Sequence, residues 1–500
     1  GRGRARVAAL GYTCAAVGAV MPVAGEWPDL AGVTGPVLYV RAGALDGDGT
    51  IARPLGDLGT ALVRAKTPGT TLALARGTFS VAMPLRLRRD LAVIARGATL
   101  DVARGTPAFL VGAHTLELRG LTIRYARTEG PEDPHNVGID ADTGARVTLR
   151  DVAVHGAFWG VRARGALLVA QGLTVAGCGA HGVILDASSV GELDRVTVRE
   201  CGGSGLVTRD SRLRVSGALI ADNRFDGVQI LGTPAGVTGA TDCLTDLAAL
   251  RNGAFAVSVE GPRGVELVGV TLSATRAVSG AGGDGLFIGS GASATLGRAR
   301  ACTEGHARGS EVLGNHRAGV LVDGGRFEAY GAVLASNRGP GVYVQGGGSL
   351  VALGDVRVED VGSLGVATTT GARLGRVDSV TIAGVRAASV ATDRGAARVG
   401  DGLSVVAPGQ GSAVEVTDCT FESNARFGAV FVRAAARVRG ASGAGNRYGL
   451  GAYGALDLDS TVRVSGDAPP PRDEPEVADG RVVNRSPPTR PTGCARGGCF

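Results

Sequence analysis

Four groups of side chains in this sequence carry enough chemistry to suggest a site. The stretch "EGPEDPHNVGID" (129–140) holds Asp133 and His135 two residues apart in a polar, proline-punctuated segment. Asp-Pro is an ordinary turn starter, so a surface turn is the structural alternative to a site there. Cys178 and Cys201 stand 23 residues apart, and a small buried thiol competes with a catalytic or metal role for that pair. Asp140, Asp142, Asp151 and Asp186 are acids on segments of alternating pattern. Calcium would need several of them gathered on one ion, and their spread makes calcium the lesser expectation. "AHGVILD" (180–186) offers His181 and, five residues on, Asp186. No nucleophile elbow and no zinc-spaced Cys/His cluster occurs, so no metal ligand is assigned.

What must position these residues is a repeat. A glycine followed by a branched apolar residue, a variable one and often another apolar one recurs at Gly138, Gly160, Gly182, Gly205, Gly227, Gly285, Gly319, Gly341, Gly365, Gly402, Gly428 and Gly449. Ala256 fills the glycine slot once. The shortest steps are about 22 residues, and longer ones read as the same unit with insertions. One residue after the anchor stand Val161, Val183, Leu206, Val228, Val257, Leu286, Val320, Val342 and Val366, all apolar, while the next position varies from Arg162 to Gln229 and Ser404. Period-two alternation marks a strand with one face in and one face out. A strand returning every 22 residues with its inner face filled alike means stacked coils, and neither helical periodicity nor a leucine ladder competes. The expected fold is all-β: a single parallel β-helix, a solenoid rising ~4.8 Å per coil and on the order of 60 Å long.

A second column lies four residues before the anchor: Cys178, Cys201, Asn223, Asn252, Asn315, Asn337 and Asn424. Asparagine tolerates left-handed turn geometry and carries both donor and acceptor. A stacked amide ladder at one corner of every coil is therefore expected, with the two cysteines as small buried substitutes. Two residues after the anchor, Ile184, Val207, Phe287, Leu321 and Tyr343 form a partly apolar outward stripe. It is a candidate docking face for a polysaccharide or a surface protein, unless the longer insertions fold over it. Few aromatics, 4 % of the chain, argue against a long sugar-stacking groove.

Composition agrees. Glycine supplies 83 of 500 residues and 44 % of the chain is hydrophobic, a balance for turn-rich β structure rather than long helices or disorder. The net charge of +6 is carried almost wholly by arginine, Lys66 being the only lysine. The basic residues form no block, so a nucleic-acid partner is not expected. No apolar run of membrane-spanning length occurs. Residues 1–36 read as a leader or small N-terminal segment, the first 25 or so loosely like a signal peptide. Residues 37–466 are the helix, and 467–500 are a proline-rich disordered tail with Cys494 and Cys499, an expected pair. Eight cysteines are compatible with an oxidising compartment, hence an extracellular or cell-surface location, and a monomer is expected.

The repeat resembles the right-handed parallel β-helix proteins of the pectin-lyase-like superfamily. "GDGTIARPLGDLGTALVRAKTPGTTLALARGTFSV" (47–81) is similar to the opening of many bacterial members, with Leu58, Ala61, Leu62 and Ala65 as the apolar stripe of a short capping helix. "DPHN" is similar to the DPHD motif of alginate-type mannuronan C-5 epimerases, with Asn136 in place of the last Asp. That resemblance implies His135 as the base at the sugar C-5, Asp133 assisting, and an arginine such as Arg162 from a neighbouring coil. Two functions follow as expectations. One is a non-catalytic secreted or surface rod that binds a polysaccharide or protein. The alternative is a lyase or epimerase of an acidic polysaccharide, without a cofactor other than calcium.

Overall fold

The computed structural model describes residues 25–125, 133–233, 241–298, 300–302, 309–369, 371–392, 395–406 and 414–471. Of the expected leader, residues 1–24 lie outside them, as do residues 472–500 of the expected tail with Cys494 and Cys499.

The period-two pattern becomes three strands per coil. Typical first strands are Trp159–Arg164, Val183–Asp186 and Leu206–Arg209; second strands are Leu167–Gln171, Val190–Asp194 and Arg212–Ser216; third strands are Thr174–Ala176, Thr197–Arg199 and Leu219–Ala221. Each pairs in parallel with its counterpart one coil on, as Val161↔Val183, Val183↔Leu206 and Leu206↔Val228 show. Three parallel sheets thus share one interior. The chain is a parallel β-helix, all-β apart from the helix Leu58–Arg64. That helix is capped by the Asp57 carboxylate, which accepts the Thr60 N–H, and it buries Leu58 and Ala61 over the end of the stack, where open strand edges would otherwise be left bare.

The inner column is continuous. Val161, Val183, Leu206, Val228, Val257, Leu286, Val320, Val342, Val366 and Leu403 belong to one buried cluster, stabilised by the area each coil hides from water. The anchor glycines have a steric cause. A Cβ on Gly160 would sit 2.4 Å from the Gly182 carbonyl oxygen, and one on Gly365 would sit 2.3 Å from that of Gly402. Side chains are excluded because the next coil's backbone already occupies the space. This is close approach, not positive φ.

The corner ladder forms where expected. Asn223 Nδ2 donates to Asn252 Oδ1, Asn315 Nδ2 to Asn337 Oδ1, and Asn424 Nδ2 to Asn446 Oδ1, each at 2.9 Å. Thr275 takes the rung between Asn252 and Asn315, its hydroxyl donating to Asn315 Oδ1 at 3.0 Å. Cys178 and Cys201 are buried in the same column, and the Cys201 N–H donates to Asn223 Oδ1. One detail of the expectation is corrected. The left-handed residue is not the asparagine but the one before it: Glu200, Asp222, Arg251, Ser336 and Ser423 have φ of 52–57°. The strain sits on a solvent-side residue, which frees the asparagine to point inward and satisfy backbone groups.

Candidate functional site

The sequence-assigned residues do not form one site. Asp133 Oδ1 accepts the His135 N–H at 3.0 Å, and Asn136, buried, accepts the Gly105 N–H at 2.7 Å through Oδ1. The segment is therefore an Asx turn that joins one coil to the next. His135 itself is exposed, and among the described residues the cation that pairs with Asp133 is Arg104, 4.0 Å away. Arg162 belongs elsewhere, on the outer face of the first sheet. Its guanidinium makes two parallel bonds to Asp140, at 2.9 and 2.7 Å.

Asp140 starts a charged patch. Arg164 lies 3.4 Å from Asp140 and 2.8 Å from Asp142, and Arg209 lies 3.9 Å from Asp186. Burial holds the Asp186 carboxyl above its usual range against the pull of those arginines, and its Oδ1 has no hydrogen-bond partner. Beside the patch, the ring of His181 lies 5.3 Å from that of Trp159. His181 is buried and its Nδ1 accepts the Ser204 N–H.

The proposed docking stripe is a correction. Ile184, Val207, Phe287, Leu321 and Tyr343 point outward from the first sheet, yet none is more than 6 % exposed. The long interval between Gly365 and Gly402 explains part of it. There an antiparallel hairpin, Ala388–Thr392 with Gly395–Val399, is inserted. Its Ala397 and Val399 join Phe255, Phe287, Leu321, Tyr343, Leu364 and Ala367 in a second apolar cluster. An apolar outward stripe is stabilised by being covered, and here the chain covers it.

The open concave surface is on the second sheet, which sequence reading passed over. A groove of about 430 Å³ runs across five coils. Two outward columns line it: Thr148, Val169, Glu192, Arg214 and Cys243 in one, and Arg150, Gln171, Asp194, Ser216 and Thr245 in the other, in strand-to-strand register. A second cavity of about 330 Å³ adjoins it and shares Glu192 and Arg214. Both of these are exposed and make no ion pair or hydrogen bond with the described residues, whereas Asp194 accepts the Gln171 amide at 3.2 Å. The signal was the alternation Glu192-x-Asp194 and Arg212-x-Arg214 in consecutive coils, which looked like ordinary solvated strand positions. One end of the groove is closed by the disulfide Cys243–Cys302. The sequence placed both cysteines in insertions; Cys243 lies in the strand Thr241–Thr245. Among the described residues no three His, Cys, Asp or Glu side chains gather as a metal site, and no helix is long and apolar enough to cross a membrane.

No family profile and no curated protein matches the chain. Among solved structures it is similar to the periplasmic alginate epimerase AlgG, with 10 % identity, 84 % of this chain and 83 % of that one covered, and a TM-score of 0.34. It is also similar to the A-module of the Azotobacter vinelandii mannuronan C-5 epimerase AlgE4, with 13 % identity, 86 % and 99 % covered, and a TM-score of 0.29. For the catalytic domain of a GH87 alpha-1,3-glucanase in complex with nigerose, identity is 10 %, coverage 88 % and 68 %, and the TM-score 0.31. The chain's own strand register, three parallel ladders wound on one interior, makes it a parallel β-helix.

Proposed function

We propose that this is a secreted or cell-surface β-helix that binds a polysaccharide through the groove of its second sheet. The carrying observation is the pair of adjoining cavities that meet at Glu192 and Arg214. Parallel coils repeat every ~4.8 Å, close to the length of one pyranose ring, so a sugar chain laid across the coils meets one pair of outward side chains at each step. Hydroxyls of Thr148, Ser216 and Thr245 and the amide of Gln171 suit sugar hydroxyls. Val169 and the aliphatic stems of Arg150 and Arg214 suit the apolar faces of the rings. Two arginines and two carboxylates in the groove balance in charge, so an anionic polymer is not favoured over a neutral one there. Glu192→Gln and Arg214→Ala should each weaken glycan binding tenfold or more in calorimetric titration, with unchanged melting temperature. Undiminished binding by the double variant would move the site elsewhere.

The alternative, chemistry on an acidic polysaccharide, rests on the first-sheet patch. Three arginines there are of the kind that neutralise a uronate carboxylate, and Asp186 is a half-buried acid poised to accept a proton. On this reading Asp186→Asn abolishes release of unsaturated product, or proton exchange at the sugar C-5, from pectate or alginate, while His135→Ala leaves it intact. Loss with His135→Ala instead would point to the turn at Asp133. No turnover by the wild type would leave binding as the function.

A further inference from the structure

The groove is open at one end and walled at the other, and the wall is built by a segment that leaves the repeat. After the strand Ser293–Leu296 the chain does not continue to the next coil directly. Residues 300–302 fold back over the outer face of two earlier coils. There Glu266, buried, accepts the N–H groups of Arg300, Ala301 and Cys302 at 3.0 Å. Arg300 adds an ion pair to Glu328 at 2.7 Å, and the disulfide ties Cys302 to Cys243 in the groove column itself. The register places Glu266 directly after Cys243 in that column. The strap therefore sits on the track that a sugar chain would follow on leaving the fifth coil. At the far end the same columns continue past Thr148 and Arg150 to Glu117 and Arg119, and no described segment crosses them.

We infer that the strap held by Cys243–Cys302 makes this groove a chain-end site, one that takes the terminus of a glycan of about four residues rather than the interior of a long polymer. The inference rests on the groove reading above. The length follows from five coils, roughly 19 Å between the first and the last. A carboxylate that accepts three backbone N–H groups while buried is an expensive arrangement to leave unpaired. It therefore holds the strap down even where the ligand presses against it. The disulfide adds a covalent tie that a dithiol or phosphine removes, two electrons converting the cystine to two thiols.

The test uses the full chain and a panel of linear neutral and uronic-acid tetra- to hexasaccharides. Each is presented with both ends free, with the reducing end tethered, and with the non-reducing end tethered. The expected result is binding that survives tethering at one end and falls at least tenfold with tethering at the other. Adding a phosphine reductant, or introducing Cys302→Ser, should bring the two tethered forms within about twofold of each other. A melting curve confirms that the reduced protein and the variant remain folded. Should either unfold, Glu266→Gln with the disulfide intact supplies the same comparison through a loosened strap. Equal binding of both tethered forms by the oxidised wild type overturns the chain-end inference and leaves the groove reading standing. Failure of every glycan on the panel to bind overturns both.

Discussion

Asp226→Asn and His181→Gln are expected to shift the slope of stability against pH in opposite directions from the wild type. The two residues lie on one outward column of the first sheet, two coils apart with Ser204 between them, and both are buried. Burial pushes the Asp226 carboxyl up to about 7, against hydrogen bonds from the Ser258 hydroxyl at 2.8 Å and the Phe255 N–H at 3.3 Å. Burial, aided by the Arg209 charge, pushes the His181 imidazole down to about 4. For Asp226 the folded chain holds the proton more tightly than the unfolded one, so stability is lost as pH rises from about 4 to about 7. For His181 the unfolded chain takes up the proton first, so stability is lost as pH falls from about 6.5 to about 4. Each slope is about 1.4 kcal/mol per pH unit at most, and across the shared window they cancel. Asp226→Asn, which keeps both hydrogen-bond positions, therefore leaves the histidine slope exposed, and stability climbs by a few kcal/mol between pH 4 and 6.5. His181→Gln leaves the opposite slope. Urea midpoints at half-unit pH steps for the three proteins check this. Parallel profiles would show that one or both groups titrate as they do in water.

Asn337→Val is expected to cost about 2–3 kcal/mol. Asn337 Oδ1 accepts both the N–H and the Nδ2 of Asn315, at 3.0 and 2.9 Å, and its own Nδ2 donates to the Val312 carbonyl at 3.1 Å. The substitution takes these partners from the Asn315 N–H and the Val312 carbonyl, while Asn315 Nδ2 keeps the Leu272 carbonyl at 3.2 Å; a buried polar group left unpaired costs about 1–3 kcal/mol. Valine is native at two other rungs, Val361 and Val385. Asn337 turns its amide back toward the preceding coil and asks nothing of Val361, and the Val385 N–H donates onward to Asn424 Oδ1 at 3.3 Å. Valine thus occurs natively after an asparagine whose Nδ2 is already held by the preceding coil, so the loss expected in the variant comes from the unpaired Asn315 N–H and Val312 carbonyl. A chemical-denaturation midpoint within 0.5 kcal/mol of wild type would show that water repairs the gap.

The repeat made the winding legible because coil stacking imposes itself on every unit. Inner residues must be apolar, most corners carry a group with both donor and acceptor, and from Gly138 on the anchor is glycine in all coils but one, where the next coil's carbonyl passes. Each of these is a local demand repeated many times, so it leaves a column in the alignment of the chain with itself. The capping helix was legible because its apolar stripe, Leu58, Ala61, Leu62 and Ala65, repeats within one short window.

What the tertiary structure alone decided is everything that crosses columns or leaves the repeat. Alternation tells which side chains point outward, but not which outward faces stay wet. Phe287, Leu321 and Tyr343 look like an exposed stripe until the hairpin at 388–399, far along the chain, folds over them. Glu192 and Arg214 look like solvated strand positions until a strap tied at Cys302 walls their groove. Asp133 and His135 stand two residues apart, yet an Asx turn ties the carboxylate to the His135 N–H, and Arg162 pairs with Asp140 on the first sheet. Period and propensity are properties of short windows, whereas a cover, a wall or a charge pair depends on segments whose separation along the chain carries no trace of their contact.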